Sequence, residues 1–289
     1  MSERPAWLDA KYNKDGEKTL KTLRIKPDEL LRFCKVALTT TEDAEVRMTS
    51  AGIESCGVDP SHVSMMKVWT RGYKKQHQAE IFCMEWRLLH EAVGRTDNEV
   101  ILRYYMKRGE AQSPIPDSEN EGLRHGYKKP TFVLEVMVDR GKPHECVTKI
   151  ICLDRQHIQR PKIPKMTLDS RISVDGFRMK EAVKRLAAVG DLVTLSIGRK
   201  STLSIVGGRV KRSMQLTPLM GKRDTKGKCT TQFSLQYLTS VCSLFGTKTK
   251  AAGHATLYSA NKYPLKMRSL EDVIEWEFFL APRVAGDNE

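Results

Sequence analysis

The feature that most constrains the fold of this chain is a pair of motifs that recurs at almost constant spacing. Residues 24–30 (RIKPDEL) return as residues 171–177 (RISVDGF), 147 positions later. Residues 82–86 (FCMEW) return as residues 233–237 (FSLQY), 151 positions later. Two matches in the same order and at nearly equal spacing predict an internal duplication, and therefore two similar domains.

Each half shows the same alternation of predicted elements. Proline and acids at 27–29 begin a helix in the first half, and apolar residues at helical spacing follow them. Runs rich in β-branched and aromatic residues predict strands, at Val46 to Ser50, Val63 to Thr70, Val100 to Tyr105, Phe132 to Val138, Leu192 to Ile197, Leu203 to Val206, Ala255 to Ser259 and Glu275 to Leu280. We therefore expect an α+β protein with two tandem duplicated domains.

Composition sets the predicted boundaries between these domains. Residues 1–20 are polar and aperiodic, which predicts a flexible N-terminal extension. The N-terminal domain is then expected at 21–152 and the C-terminal domain at 169–289. Between them, 153–168 contains two prolines and several basic residues, which indicates an extended connector. Polar stretches at 107–130 and 221–228 are predicted to be long loops.

Charge indicates the class of partner. The 289 residues include 49 Lys+Arg and 35 Asp+Glu, a formal net charge of +14, which favours a polyanionic partner and nucleic acid before membrane. Neither an apolar run long enough to span a membrane nor an export leader is recognisable. Seven scattered cysteines without a C-x-x-C pair predict neither disulfides nor a zinc site, and favour a reducing, intracellular compartment.

Candidate chemistry is sparse. Gly207-Gly208 lacks the spacing and the lysine of a phosphate-binding loop and is interpreted as a hairpin turn. His62 has no acid or second histidine at fixed spacing, which favours a structural or binding histidine over a catalytic base. We expect no catalytic residue, no metal and no cofactor, and hence a protein that is not an enzyme.

Basic and small polar residues lie on one side of each of the four predicted helices. Their pattern fits a surface that follows DNA phosphates without reading bases, and fits equally well four solvent-exposed helix faces. The basic members are Arg32, Lys35, Arg87, His90, Lys180 and Lys184.

Three segments resemble the proliferating cell nuclear antigen (PCNA) family, the sliding clamps of archaea and eukaryotes. Residues 50–64 (SAGIESCGVDPSHVS) resemble the family's Gly-…-Asp-x-Ser-His-Val segment. Residues 278–284 (FFLAPRV) resemble its C-terminal aromatic-Leu-Ala-Pro-Lys-Ile strand, and Pro264-Leu265 also has a counterpart. Ile163-Pro164, KEAVK at 180–184 and VGD at 189–191 are similar to archaeal members in particular.

The resemblance implies the DNA-clamp fold, with two helices inside and β-sheets outside in each domain, and a head-to-tail homotrimer around duplex DNA. Such a clamp is a processivity factor for DNA polymerase in replication and repair, is placed on DNA by a clamp loader, and acts with the chromosome or nucleoid, in the nucleus if the cell is eukaryotic. By position, the six basic helix residues would face the DNA backbone. The fourth helix has Ser243 where relatives often have lysine.

The resemblance also implies a pocket for a partner peptide that carries a glutamine, an aliphatic residue and two aromatic residues. By position, the pocket residues are Val58, His62, Met65, Ile158, Ile163, Met166, Pro264, Phe279, Leu280, Ala281 and Pro282. The basic connector predicts partner peptides that are acidic around their anchors. Subunits would join through edge strands Val147 to Leu153 and Leu203 to Val206, with interface residues Val147, Lys149, Ile151, Leu153, Leu203 and Ile205.

Two alternatives remain open on the sequence. The net charge of +14 favours a monomeric or dimeric, viral-type processivity factor that keeps the fold and holds DNA electrostatically. A nuclease or related nucleic-acid enzyme would need a cluster of acids that binds Mg²⁺, and no such motif rises above chance.

Overall fold

A computed structural model describes residues 11–74, 78–94, 96–108, 130–153, 161, 163, 170–198, 201–207, 210–225, 229–246 and 253–283. The chain divides into two compact units. The first comprises Met1–Leu31, Asp43–Ile53 and Gly72–Gln159. The second comprises Arg32–Glu42, Glu54–Arg71 and Arg160–Glu289.

The described elements repeat one order in the two halves of the sequence. The first half contains β1 (Glu17–Ile25), α1 (Pro27–Ala37), β2 (Asp43–Met48), β3 (Ile53–Val58), β4 (Ser64–Thr70), β5 (Glu80–Glu85), α2 (Trp86–Val93), β6 (Val100–Lys107), β7 (Thr131–Val138) and β8 (Cys146–Ile151). The second half contains β9 (Ser170–Asp175), α3 (Gly176–Ala187), β10 (Leu192–Ile197), β11 (Ser201–Gly207), β12 (Val210–Leu216), β13 (Pro218–Thr225), β14 (Cys229–Ser234), α4 (Leu235–Cys242), β15 (His254–Ser259), β16 (Leu265–Leu270) and β17 (Ile274–Leu280). Only β13 interrupts the correspondence among the described elements, so the predicted duplication is confirmed.

The first unit contains a four-stranded antiparallel sheet in the order β1-β6-β7-β8. Helix α2 packs on β7 and β8, and the alternating residues Leu102, Val136 and Ile150 are buried. Ionic side chains link all four strands, since Arg103 contacts both Glu17 and Glu135, and Lys149 also contacts Glu135. The sheet therefore combines an apolar layer with a row of salt bridges.

In the second unit, seven antiparallel strands follow the order β13-β9-β15-β16-β17-β4-β3. Its segment β9-β15-β16-β17 repeats the order β1-β6-β7-β8 of the first unit, which is the duplication at the level of the sheet. Strand β4 belongs here because it pairs with β17, in register from Ser64 opposite Leu280 to Thr70 opposite Ile274. The predicted tandem boundaries therefore differ from the division into compact units. The connector lies largely outside the described residues, so those boundaries stay a prediction.

A second sheet of this unit has the order β12-β11-β10-β14, and α3 packs against α4. Helix α3 begins where the sequence repeat predicts, because the Asp175 carboxylate accepts a hydrogen bond from the Arg178 backbone N–H at 2.8 Å. The rings of Phe245 and Trp276 lie 5.6 Å apart in the core. Together these contacts fix the helices whose exposed sides carry the basic residues.

One predicted loop is corrected. The polar residues 221–225 belong to β13, which pairs with β9 at the edge of the seven strands, for example Arg223 opposite Ile172. A strand at this edge is held by backbone hydrogen bonds and needs no apolar alternation, which explains why the sequence pattern missed it. Most of the other predicted loop, 109–129, lies outside the described residues.

Candidate nucleic-acid interface and partner site

Arg32, predicted to contact DNA, is engaged within the protein. Its Nε and Nη2 donate to the two carboxylate oxygens of Glu271 at 2.6 and 2.5 Å, and Nη2 also donates to the Leu244 carbonyl at 2.8 Å. Glu271 in turn accepts a hydrogen bond from the Trp276 indole at 2.9 Å. The Arg32 and Glu271 side chains are only 21% and 16% exposed. Arg32 therefore acts first as a structural residue of the second unit.

Lys180 is engaged in a similar way. Its Nζ donates to the carbonyl oxygens of Phe245 at 2.8 Å and Ser243 at 3.5 Å, just beyond the end of α4. A cation at a helix C-terminus compensates unpaired carbonyls and the helix dipole. Lys180 thus joins α3 to α4. Ser243 is the C-cap residue of α4.

The other four predicted DNA-contacting side chains are exposed: Lys35, Arg87, His90 and Lys184. Arg87 forms an ion pair with Glu85 at 3.3 Å, but at 69% exposure this pair contributes little and leaves the guanidinium accessible. Helix α3 exposes two further cations, Arg178 and Arg185, which sequence reasoning missed. Their separation by seven residues, two helical turns, was the available signal.

The predicted partner pocket begins at the turn between β3 and β4. The Asp59 carboxylate accepts hydrogen bonds from the backbone N–H groups of Ser61 and Ser64 and from the Tyr237 hydroxyl. His62 has a positive φ of 56° and an exposed side chain at the tip of this turn. The Asp-x-Ser-His motif thus builds a rigid turn that presents His62.

An apolar cluster lies beside this turn. Phe279 and Val58 each stand opposite Met65 in neighbouring strands, and the cluster also includes Cys56. Phe279 and Met65 are only 4% and 7% exposed, so they form a floor and not protruding anchors. Such a floor accepts an apolar group laid on it.

The C-terminal segment lies against the same turn. The Ala281 N–H donates to the Val63 carbonyl at 2.8 Å, which holds the backbone beyond β17 in place. Ala281 and Pro282 are half-buried, as is Pro264 before β16. These residues and His62 surround the apolar floor.

Leu280 is a correction to the predicted pocket. Its side chain is fully buried and, because side chains alternate along a strand, it lies on the face opposite Phe279. It therefore packs in the core and offers no surface to a partner. Of the connector residues, Ile158 and Met166 lie outside the described residues, and Ile163 is exposed.

The predicted edge strands need one correction. Strand β8 does lie at a sheet edge, and its residues Val147 and Ile151 are 47% and 69% exposed, followed by Leu153 at 43%. The second predicted edge, Leu203 to Val206, lies in β11, which is hydrogen-bonded to β10 on one side and to β12 on the other. The edge of that sheet is β12, because a hairpin folds it outside β11 with Gly207 opposite Val210.

The described residues show no group of three His, Cys, Asp or Glu side chains placed to bind a metal ion. Burial raises the pKa of the Cys34 thiol, and raises those of Cys152 and Cys242 to about 12. These three thiols therefore stay protonated at neutral pH and are poor nucleophiles. Among the helices described, none is long and apolar enough to cross a membrane.

Solved structures resemble this chain over nearly its whole length. PCNA of A. fulgidus, in a structure with the C-terminal region of FEN-1, has a TM-score of 0.68 and 17% identity, covering 93% of this chain and 100% of that one. This chain has the PCNA clamp fold. PCNA of Entamoeba histolytica has a TM-score of 0.68 and 15% sequence identity, and the match covers 92% of this chain and 100% of that one. PCNA of Thermococcus kodakaraensis has a TM-score of 0.67 and 16% sequence identity, and the match covers 91% of this chain and 99% of that one.

The sequence comparison agrees with the fold. A DNA polymerase sliding clamp of Nitrosopumilus maritimus (strain SCM1) is 22% identical over 267 residues, which cover 89% of this chain and 95% of that protein. No protein-family model matches the chain. The predicted α+β clamp fold and the resemblance to PCNA-type clamps are thereby confirmed.

Proposed function

We propose that this chain is a subunit of a DNA sliding clamp, a non-catalytic processivity factor that tethers a DNA polymerase and other replication and repair proteins to chromosomal DNA. The observation that carries the proposal is the match of more than nine-tenths of the chain to complete PCNA chains. The similarity to a protein named DNA polymerase sliding clamp supports the same role. A tether raises polymerase processivity through effective concentration and requires no catalytic group.

The proposed clamp is a homotrimeric ring closed through two different sheet edges. Strand β8 of one subunit would pair with β12 of the next, which replaces the predicted β11 edge. Exposed apolar side chains on an unpaired edge are an aggregation liability unless assembly covers them, and Val147 and Ile151 have this character. Head-to-tail pairing of unlike edges must either close into a ring or polymerise.

DNA would be held by its phosphates. The proposed contacts are the exposed helix residues Lys35, Arg87, His90 and Lys184, supplemented by Arg178 and Arg185 of α3. Lys and Arg neutralise phosphates without reading bases, which is the kind of contact that permits sliding. Arg32 and Lys180 would add positive potential, although their side chains are already hydrogen-bonded to other residues of the same chain.

Partner proteins would dock an aromatic-anchored peptide on the Phe279–Met65 floor. Residues Val58, His62, Pro264, Ala281 and Pro282 would surround the peptide. The A. fulgidus PCNA structure contains the C-terminal region of FEN-1, which supports peptide binding as a property of this fold. A clamp loader and a DNA polymerase are the partners that this role requires.

A specific observation supports one alternative. The net charge of +14 suits a monomeric or dimeric factor that holds DNA electrostatically, because a closed ring needs little net attraction. Light scattering after size exclusion, at low and at physiological salt, separates the two. A mass of three times 32.8 kDa at both salts is expected for the ring. A monomer at both salts would refute the ring and favour the electrostatic factor.

A further inference from the structure

We infer that a small basic cavity on the seven-stranded sheet of the second unit binds an acidic side chain, a carboxylate or a phosphorylated residue, of the partner segment that flanks the clamp-binding peptide. The inference rests on the proposed function, because it adds a second contact for the same partner. We call this site the basic cavity. It is lined by Arg171 and Ser173 of β9, His254, Thr256 and Tyr258 of β15, and Arg268 and Leu270 of β16.

The size and chemistry of the basic cavity suit an oxyanion. Its volume is about 120 Å³, and a cavity needs only about 10–15 Å³ to hold one water molecule. The described side chains that line it include two guanidinium groups, one imidazole and three hydroxyl groups, but no carboxylate. Arginine forks match carboxylate and phosphate oxygens better than other side chains do.

Hydrogen-bond donors in the basic cavity are left for a ligand. The Nε of Arg268 is buried and has no partner among the described residues, while its Nη2 donates to Glu275 at 3.1 Å. The guanidinium carbon of the exposed Arg171 lies 5.5 Å from the centre of the Tyr258 ring. A guanidinium group placed over a ring can still donate hydrogen bonds from the N–H groups at its edge. A buried donor without an acceptor is destabilising, so an oxyanion at this point would relieve an existing penalty.

The basic cavity lies on the same sheet face as the partner pocket. Arg171, Tyr258, Lys266 and Phe279 stand directly opposite one another on β9, β15, β16 and β17. The Nζ of Lys266 lies 5.7 Å from the centre of the Tyr258 ring and 5.5 Å from that of Phe279. A continuous row of side chains therefore joins the cavity to the floor of the pocket.

The spacing along this row sets where the acid must lie in the partner. Phe279 and Arg171 are three strand spacings apart, roughly 14 Å. An extended peptide covers that distance in about four to five residues. Lys266 is already paired with Glu277 at 2.7 Å, and Arg171 is the exposed cation of the row.

Fluorescence anisotropy with the full chain tests the inference. The probes are labelled peptides with a glutamine, an aliphatic residue and two aromatic residues, carrying glutamate, phosphoserine or neutral serine about four to five residues from the aromatics, on either side. We expect an acidic flank on one side to tighten binding about fivefold, the upper end of what a partly exposed ion pair contributes. The gain should disappear in Arg171→Gln and remain in Arg24→Gln, a matched loss of one exposed arginine at the equivalent repeat position in β1.

The outcomes separate this inference from the proposed function. Equal binding of acidic and neutral peptides, or an undiminished gain in Arg171→Gln, would overturn the inference while leaving the partner pocket intact. Failure of every peptide to bind, including the neutral one, would overturn both. A larger gain for phosphoserine than for glutamate identifies a phosphorylated partner, and equal gains identify a carboxylate. A loss of duplex DNA affinity in Arg171→Gln, without a change in peptide binding, would instead assign the cavity to nucleic acid.

Discussion

Replacing Arg32 by methionine separates a structural role of this residue from a role in DNA binding. Helical spacing places Arg32 beside Lys35, but only Arg32 has its guanidinium held by Glu271 and by the Leu244 carbonyl. Lys35→Met is the matched control, because it removes one cation from the same helix and its side chain is exposed. The two variants should therefore fail in different assays.

The structure sets the expected magnitude. Exposed ion pairs contribute about 0.2–1 kcal/mol, whereas removing one partner of a buried pair costs about 3–5 kcal/mol. At 21% and 16% exposure, the Arg32–Glu271 pair lies closer to the buried limit. Arg32→Met should therefore lower the free energy of unfolding by about 3 kcal/mol, and Lys35→Met by less than about 0.5 kcal/mol.

Urea unfolding followed by circular dichroism measures this difference. A loss of about 3 kcal/mol corresponds to a midpoint lower by about 1 M urea. Adding Glu271→Gln to Arg32→Met should recover part of the loss, because the uncompensated carboxylate is then neutral. The reasoning is refuted if Arg32→Met unfolds at the wild-type midpoint and instead weakens DNA binding.

Three further substitutions test other parts of the account. Ile151→Glu, at a position 69% exposed in β8, should leave the circular dichroism spectrum of the folded chain unchanged but abolish the trimer in light scattering; a trimer that persists would exclude β8 from the interface. Lys184→Gln should reduce the slope of log affinity for duplex DNA against log salt by about 0.9, and an unchanged slope would remove Lys184 from the DNA contacts. In the Ile151→Glu variant, where β8 is uncovered, a disulfide reagent at pH 8 should modify one cysteine per chain rapidly, and adding Cys146→Ser should abolish this fast phase, because Cys146 is exposed in the single chain while burial raises the pKa of Cys152 to about 12; a fast phase that remains would contradict the burial of the other thiols.

Much of the fold could be predicted because it is encoded by local patterns. The first helix begins at Pro27 as its proline and acidic first turn predict, and β10 has the predicted bounds Leu192–Ile197. The repeat predicted an internal duplication, and the matching sheet orders β1-β6-β7-β8 and β9-β15-β16-β17 confirm it. Apolar periodicity and helix signals depend on neighbouring residues, so one sequence suffices to read them.

The errors concern information that is not local. Strand β13 is polar and exists because β9 offers it backbone hydrogen bonds, and no side-chain pattern records that. Choosing β11 instead of β12 as the sheet edge was wrong because the order of strands follows from pairing and not from apolar content. Arg32 meets Glu271 at a separation of 239 residues, so helical spacing gave its face of the helix but not its partner. Sequence alone indicated DNA, which the chain is proposed to bind, but not which basic side chains of the helices are accessible to DNA.

Retention on circular DNA tests the central claim, the encircling clamp, most directly. The protein is incubated at high concentration with nicked circular duplex DNA, and the complexes are washed in high salt. The number of protein molecules retained per DNA molecule is then measured before and after a single restriction cut linearises the DNA. A ring should survive the wash on circular DNA and be lost once the DNA is linear, because only topology holds it. Loss from circular and linear DNA alike, at a rate that rises steeply with salt, would contradict the ring and show that DNA is held by electrostatic contacts alone.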